Sequence, residues 1–338
     1  GPEGQRVLDE AYARIRAAGG KPGYTNLPRS FAVEAPEVGD EDLADGDVAR
    51  EALATLRRVK DRPFFLAVGF YKPHLPFVAP KRYWDLYDER ALELPRNQHP
   101  PDGTPEWVVP GWNELGSYVG MPKHGPMPPE LGRRLLHGYL ASISYVDALV
   151  GGLLGELDRL GLRGNTVVTL LGDNGFQLGE HGAWANKHSN FETSARVPLI
   201  VSAPGQRRAG ARSKALVELV DLYQTLAVCC GLPAPESLEG SSLRPLLDEP
   251  ARPWKRAAFS LHPRGKRMGR SARTERYRYT EWALPGQPPD TFELYDHSTD
   301  PGENVNLAAA SGYRKTLDQM RAVLHAGWRA AMPPQGGA

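Results

Sequence analysis

The most informative segment of the chain reads Leu170-Leu171-Gly172-Asp173-Asn174-Gly175-Phe176-Gln177-Leu178-Gly179-Glu180-His181-Gly182. The apolar run 166–171 predicts a buried strand that ends just before Asp173 and Asn174. In open α/β sheets, ligands bind in loops at the carboxyl ends of strands. These two side chains supply two oxygen donors, which suit a hard cation such as Ca²⁺ or Mg²⁺. Asp-Asn-Gly is also typical of a plain turn, and the tripeptide alone favours the turn.

Outward from this segment, helical and apolar patterns alternate along the first 250 residues. Apolar runs predict strands at 64–70, 166–171 and 198–202, and helical periodicity predicts helices at 7–18, 45–61, 129–160 and 220–230. Strands that alternate with helices favour an α/β fold, a mostly parallel sheet flanked by helices. Residues 71–130, rich in Pro, Trp, Tyr and His, are predicted to form a long ordered loop region that carries function.

The pattern changes after Pro250. Short strands at hairpin spacing and one closing helix predict an α+β subdomain with an antiparallel sheet. The strands are predicted at 257–261, 271–275, 278–282 and 292–295, and the helix at 313–331. We therefore expect an α/β domain over residues 1–250 and a smaller C-terminal subdomain over residues 251–338.

Composition excludes several classes of protein. The 338 residues include 41 Lys+Arg and 40 Asp+Glu, which leaves a net charge of +1. Such a chain lacks the general basic field that binds nucleic acid or an anionic membrane surface. No apolar run reaches about 18 residues, so no membrane span is expected. Cys229 and Cys230 are adjacent, so no disulfide framework is expected, and the compartment stays open.

Two further polar clusters are candidates for contact with an anion. Lys72 and His74 lie in a loop that two prolines would stiffen, and His74 could serve as a general acid or an anion contact. Lys187 and His188 follow the Asp-Asn-Gly turn, and either could contact an anionic oxygen. Taken singly, each cluster is explained equally well or better as a polar surface loop.

These three clusters, in this order, resemble the sulfatase family of the alkaline-phosphatase-like superfamily. The likeness rests on residues 64–70 with 72–77, 172–175 with 178–182, 189–192 with 196–200, 220–226, 238–243, 276–280, 293–296 and 300–303. It covers roughly residues 30–331. Each motif is weak alone, but their order makes the match specific.

The resemblance implies roles for six side chains. Asp173 and Asn174 would ligate a divalent cation, which is Ca²⁺ in most of the family and less often Mg²⁺. His74 and Lys187 would be catalytic residues that contact the sulfate or the leaving oxygen and stabilise developing charge. Lys72 and His188 would contact the substrate, with His188 as the alternative to Lys187.

Sulfatases also use a formylglycine, made from the first residue of a Cys/Ser-x-Pro-x-Arg motif. Neither 229–233 nor 202–206 fits this motif. Because the chain begins Gly1-Pro2-Glu3, with neither Met nor a signal peptide, we expect the nucleophile in a missing N-terminal segment. The fragment is then expected to be inactive alone, to expose an unpaired sheet edge and to associate. The full-length parent is expected to be periplasmic or secreted.

The implied activity is hydrolysis of a sulfuric ester, with a sulfated glycan as the expected substrate by analogy. One alternative is a phosphodiester or phosphonate monoester hydrolase with the same metal frame. Another is a non-catalytic, sulfatase-like binding protein. A substrate panel would distinguish the first alternative from a sulfatase. An upstream reading frame without the Cys/Ser-x-Pro-x-Arg motif would favour the second alternative.

Overall fold

The computed structural model describes residues 1–20, 29–109, 111, 114–123 and 125–334. The chain forms two compact units, each assembled from separate stretches of sequence. The helical unit comprises residues 1–98, 111–164 and 177–186, and the sheet unit comprises residues 99–110, 165–176 and 187–338. The division at residue 250, which follows the change of sequence pattern, stays a prediction.

The described helices and strands agree with most of the sequence pattern. The helices are α1 (Pro2–Ala17), α2 (Ala44–Val59), α3 (Lys81–Trp84), α4 (Pro129–Arg159), α5 (Glu192–Ala195), α6 (Asp221–Cys229), α7 (Arg244–Asp248) and α8 (Arg314–Ala331). The strands are β1 (Val33–Glu34), β2 (Phe77–Val78), β3 (Val168–Leu171), β4 (Gln177–Leu178), β5 (Trp184–Asn186), β6 (Leu199–Ser202), β7 (Ala258–Arg264), β8 (Arg267–Arg273), β9 (Tyr277–Ala283) and β10 (Thr291–Asp296). All the predicted helices are confirmed to within a few residues at their ends.

The core of the helical unit lies around α4, which packs against α2, α3 and the β1–β2 pair. Gly138 on α4 permits this approach, because a Cβ there would lie 2.8 Å from Trp84 and 2.9 Å from Phe77. Tyr145 fills the same core. By length and composition alone α4 could cross a membrane, but the core helix of a soluble protein passes the same test. The expectation of no membrane span therefore stays a prediction.

Residues 64–70 require a correction. The apolar run predicts a strand buried on both faces, but the structure assigns no strand here, and the side chains alternate between half-buried and exposed. Phe65 is 84% exposed, whereas Phe70 packs against the helical core. An apolar run specifies burial but not the neighbouring strand that would provide it. Within the described ranges, no strand pairs with this run.

The predicted mostly parallel sheet is only weakly represented. β1 and β2 pair in parallel, with Val33 opposite Phe77. The predicted strands 166–171 and 198–202 form as β3 and β6, but they pair antiparallel, with Leu171 opposite Leu199. Parallel pairing needs a long crossover, usually a helix. The chain between β3 and β6 contains only the β4–β5 pair, a 3₁₀ turn and the four-residue helix α5.

The C-terminal sheet is confirmed as antiparallel, in the order β10-β9-β8-β7. Sequential strands are neighbours because short connections join them. Compared with the predicted strand 271–275, β8 starts four residues earlier and ends two residues earlier. α8 covers one face of the sheet, where Leu317 and Met320 join Tyr279 and Leu294 in a buried core.

Candidate active site

The Asp-Asn-Gly turn follows directly from β3 in the sheet unit. Asp173 is exposed and Asn174 half-buried, and the Asn174 N–H donates to Asp173 Oδ1 at 3.0 Å. The Gly175 N–H donates to the Ser194 carbonyl at 2.9 Å. A Cβ on Gly175 would lie 2.0 Å from the Thr193 carbonyl oxygen, so only glycine fits. The turn is therefore docked closely on α5.

The Lys187–His188 segment lies between β5 and α5 and reaches the same helix. Ser189 Oγ and Ser194 Oγ are 2.7 Å apart, so Ser194 bonds the segment through its side chain and the Asp-Asn-Gly turn through its carbonyl. Lys187 is half-buried and His188 exposed. Ser194 thus brings together the two sequence motifs that predict cation and anion contacts.

The first C-terminal hairpin also contacts this segment. Arg264 on β7 donates from Nη2 to the His188 carbonyl at 2.5 Å. The His262 ring centroid lies 5.8 Å from that of His188. Burial, with smaller effects from the Arg264 and His188 charges, lowers the pKa of His262 to about 4, so this imidazole is neutral at pH 7. Sequence analysis missed both β7 residues, since contacts across more than 70 positions leave no local pattern.

The Lys72–His74 loop is built separately, within the helical unit. Buried Asp45 at the start of α2 accepts the backbone N–H groups of Tyr71 at 2.8 Å and Lys72 at 2.9 Å. Burial lowers the pKa of Lys72 to about 8, against the opposing effect of Asp45. This ammonium therefore loses its proton at a lower pH than an exposed lysine does.

His74 is oriented by neighbours on both sides of its ring. Its Nδ1 lies 2.9 Å from the Leu75 carbonyl oxygen, which favours a proton on Nδ1. Its Nε2 lies 3.8 Å from Glu114 Oε2, and Arg29 pairs with the other oxygen of Glu114 at 2.9 Å. Glu114 is a site neighbour that sequence analysis missed, because it lies in the long loop region without a motif of its own.

The six predicted site residues are thus divided between the units. Lys72 and His74 belong to the helical unit, and residues 173–174 and 187–188 belong to the sheet unit. Their roles stay predictions. Hydrogen bonds to Asp45 hold the segment in the helical unit, and hydrogen bonds to Ser194 hold the two segments in the sheet unit.

A group of metal-type ligands also lies beside α5. Glu192, His297 and Glu303 offer atoms within 4.8 Å of one another. Arg278 fills this cluster, donating to Glu303 at 2.6 Å and to Glu192 at 2.5 Å. Burial of Glu303 opposes ionisation, but Arg278 and His297 outweigh it and lower the pKa of Glu303 to about 2. The cluster is an ion-pair network that joins α5 to the C-terminal sheet.

Another resembling segment, residues 220–226, is also structural. Asp221 is fully buried at the start of α6, where it accepts the Ser241 N–H and the Lys255 ammonium, each at 2.7 Å. Lys255 also bonds Glu218 at 2.7 Å. These bonds fasten the start of α6 to the chain around Ser241 and Lys255.

Comparison with known protein families identifies the class. The family model Sulfatase matches residues 13–232, and the model N-sulphoglucosamine sulphohydrolase, C-terminal, matches residues 179–329. The first match covers more than half of the chain. The chain therefore belongs to the sulfatase family, a family of sulfuric ester hydrolases in the alkaline-phosphatase-like superfamily.

The chain is also similar to individual proteins of known name or structure. Mouse iduronate 2-sulfatase is 31% identical over an aligned length of 391 residues, which spans 92% of this chain and 70% of that protein. A solved protein in complex with its substrate D-glucosamine-2-N,6-O-disulfate has a TM-score of 0.71 at 22% identity, covering 87% of this chain and 72% of the other. Phosphonate monoester hydrolase of Agrobacterium radiobacter has a TM-score of 0.74 at 22% identity, covering 95% and 69%.

Proposed function

We propose that this chain is the larger part of an iduronate-2-sulfatase-like enzyme that hydrolyses a sulfate ester on a glycan. The observation that carries the proposal is the double attachment to Ser194, which fixes the Asp173 turn and the Lys187 segment on one short helix. Membership of the sulfatase family supplies the reaction class. The sugar is proposed by analogy with relatives named for sulfated sugars.

In this proposal, Asp173 and Asn174 hold a Ca²⁺ ion, with Mg²⁺ as the less favoured ion. Their donor atoms fit this role, because a carboxylate and an amide oxygen at adjacent positions are the oxygen ligands that hard cations prefer. The exposed Asp173 carboxylate has room for an ion. Calcium takes about six to eight oxygens, so the other ligands come from elsewhere in the enzyme. When bound, the cation polarises the sulfate and neutralises part of its charge.

The remaining roles fall to side chains that handle charge and protons. Lys187 contacts a sulfate oxygen, with exposed His188 as the alternative donor. His74 contacts the leaving oxygen, with Glu114 beside its Nε2. Lys72, with its pKa near 8, is a substrate contact that can also give up a proton. The nucleophile is a formylglycine supplied by a segment outside this sequence.

The test uses the full-length product of the gene. We expect it to hydrolyse an aryl sulfate and a sulfated uronate disaccharide, to lose activity with a chelator and to regain it with Ca²⁺. Asp173→Ala should cost more than the ~10–100-fold that loss of an outer-shell metal partner costs. Asp147→Ala, which removes an exposed carboxylate from α4, is the matched control. Activity that survives both metal removal and Asp173→Ala would overturn the proposal.

Phosphonate monoester hydrolases share the fold, so the same preparation is also assayed with a phosphonate monoester. Faster turnover of the phosphonate than of any sulfate ester would replace the proposed substrate while keeping the metal site. A full-length protein that turns over neither class, and whose gene lacks Cys/Ser-x-Pro-x-Arg, would instead be a binding protein.

A further inference from the structure

The hairpin formed by β7 and β8 holds the Lys187 segment at several points. Arg264 bonds the His188 carbonyl at 2.5 Å. Two residues further on, Asn190 donates to the Gly269 carbonyl at 3.2 Å and accepts from Ser260 Oγ at 3.0 Å. The hairpin therefore restrains the backbone immediately after Lys187, from a part of the sequence more than 70 residues away.

Arg264 differs from Arg267 and Arg273 of the same sheet in the groups that it contacts. Its Nη2 serves two carbonyls, those of His188 and Val108, the latter at 3.1 Å. Among the residues that the structure describes, its buried Nε has no hydrogen-bond partner. Within the described residues Arg264 forms no ion pair, in contrast to Arg267 and Arg273 on β8, which pair with carboxylates. Burial accordingly lowers the pKa of Arg264.

A half-buried guanidinium without a carboxylate is costly to fold. Stability alone would favour a neutral side chain at this position. The contacts that Arg264 does make are both to backbone carbonyls of loops, and one of them directly follows Lys187. Arg264 therefore has the contacts of a residue that fixes the geometry of loops and lowers the stability of the fold.

We propose that Arg264 is a positioning residue, which fixes the His188 peptide and thereby directs the Lys187 ammonium toward the sulfate group. This inference rests on the proposed role of Lys187. Arg264 itself touches no substrate in this scheme. The C-terminal sheet is then part of the catalytic apparatus, because it supplies the restraint on the loop that carries Lys187.

The test compares Arg264→Gln and Arg264→Lys in the full-length enzyme. Arg264→Gln should lower kcat by up to ~100-fold, the loss that a misplacement of about 1 Å can cause, with a smaller change in KM. Arg264→Lys keeps the charge and a donor and should restore part of kcat. Arg270→Gln, which alters an exposed arginine on β8, should leave both constants unchanged. Unchanged kcat in Arg264→Gln overturns the inference.

A double variant separates this inference from the proposed function. If Arg264 acts through Lys187, then Arg264→Gln adds no further loss in a Lys187→Gln background. If Lys187→Gln itself is fully active, the proposed role of Lys187 fails instead. For an inactive full-length protein, amide hydrogen exchange at residues 187–190 is the readout. Arg264→Gln should accelerate exchange there relative to Arg270→Gln, and equal rates would refute the restraint.

Discussion

Two sheets in the sheet unit differ in how completely they are covered. In the C-terminal sheet, Ala272, Tyr279 and Leu294 are fully buried beneath α8. In the β3–β6 pair, Leu171 is 42% exposed and Ile200 61% exposed. The strands of the first sheet and the helix that covers them all lie within residues 258–331. The second carries the candidate metal turn at its end, yet each of its strands has one partner among the described residues.

The packed core and the candidate metal turn thus lie on different sheets. In the C-terminal sheet, Arg278 pairs with Glu192 and Glu303 and so fastens α5, while hydrogen bonds from the β7–β8 hairpin hold the Lys187 segment. The β3–β6 pair presents Asp173 and Asn174 but offers little packing of its own. Substitutions in the C-terminal sheet should therefore mainly change the free energy of unfolding. Substitutions in the β3–β6 pair should mainly change self-association.

The largest expected effect is in the C-terminal sheet. Arg278→Met removes the guanidinium that bridges half-buried Glu192 and buried Glu303, and leaves only Arg273 beside the first carboxylate and His297 beside the second. Breaking such a buried pair costs about 3–5 kcal/mol of unfolding free energy. Urea denaturation monitored by circular dichroism measures it. Arg270→Met, at an exposed position on β8, is the control and should change stability by less than about 0.5 kcal/mol. Equal midpoints for the two variants would show that the ion-pair network contributes no net stability.

A somewhat smaller effect concerns pH. Burial raises the pKa of Glu293 to about 7, while Trp282 Nε1 at 2.6 Å and the Tyr295 hydroxyl at 2.8 Å donate to its oxygens. The folded-state pKa lies above the unfolded value of 4.5, so the folded protein retains the proton longer. The stability contributed by this group is full below about pH 4.5 and is lost as the pH rises toward 7. The loss is about 3 kcal/mol.

Glu293→Gln isolates this contribution. The amide keeps a hydrogen-bonding side chain but does not titrate, so stability should fall less between pH 5 and pH 7.5 in the variant than in the wild type. Urea melts at the two pH values give the difference. Glu275→Gln, at an exposed turn, should retain the wild-type dependence on pH. Parallel pH profiles for the wild type and Glu293→Gln would contradict the raised pKa.

Features that depend on local interactions could be predicted from the sequence, whereas features that depend on distant contacts could not. The helices and the C-terminal strands were predictable, because helical periodicity, strand alternation and turn residues are local signals. The position of Asp173 at the end of β3 was predictable for the same reason. The run 64–70 was not, since an apolar run does not specify its pairing partner. The attachment of Gly175 to α5 and of Arg264 to His188 depends on distant contacts that one sequence does not reveal.

The smallest expected effect on stability lies in the uncovered sheet. Ile200→Thr keeps a β-branched residue at an exposed position of β6, so the unfolding free energy should change by less than about 0.5 kcal/mol. Self-association should change more, because an exposed apolar strand with an unpaired edge is a surface for pairing with another chain. Sedimentation velocity of this 338-residue chain should show association that weakens in Ile200→Thr.

Leu261 provides the matched control, because it is 67% exposed on β7 of the covered sheet. Leu261→Thr removes a comparable apolar area, so an effect of surface hydrophobicity alone would reduce association equally in both variants. A reduction specific to Ile200→Thr would locate association at the β3–β6 pair. A monomeric wild-type chain would instead mean that this pair is satisfied without a partner, and the contrast between the two sheets would then concern packing rather than assembly.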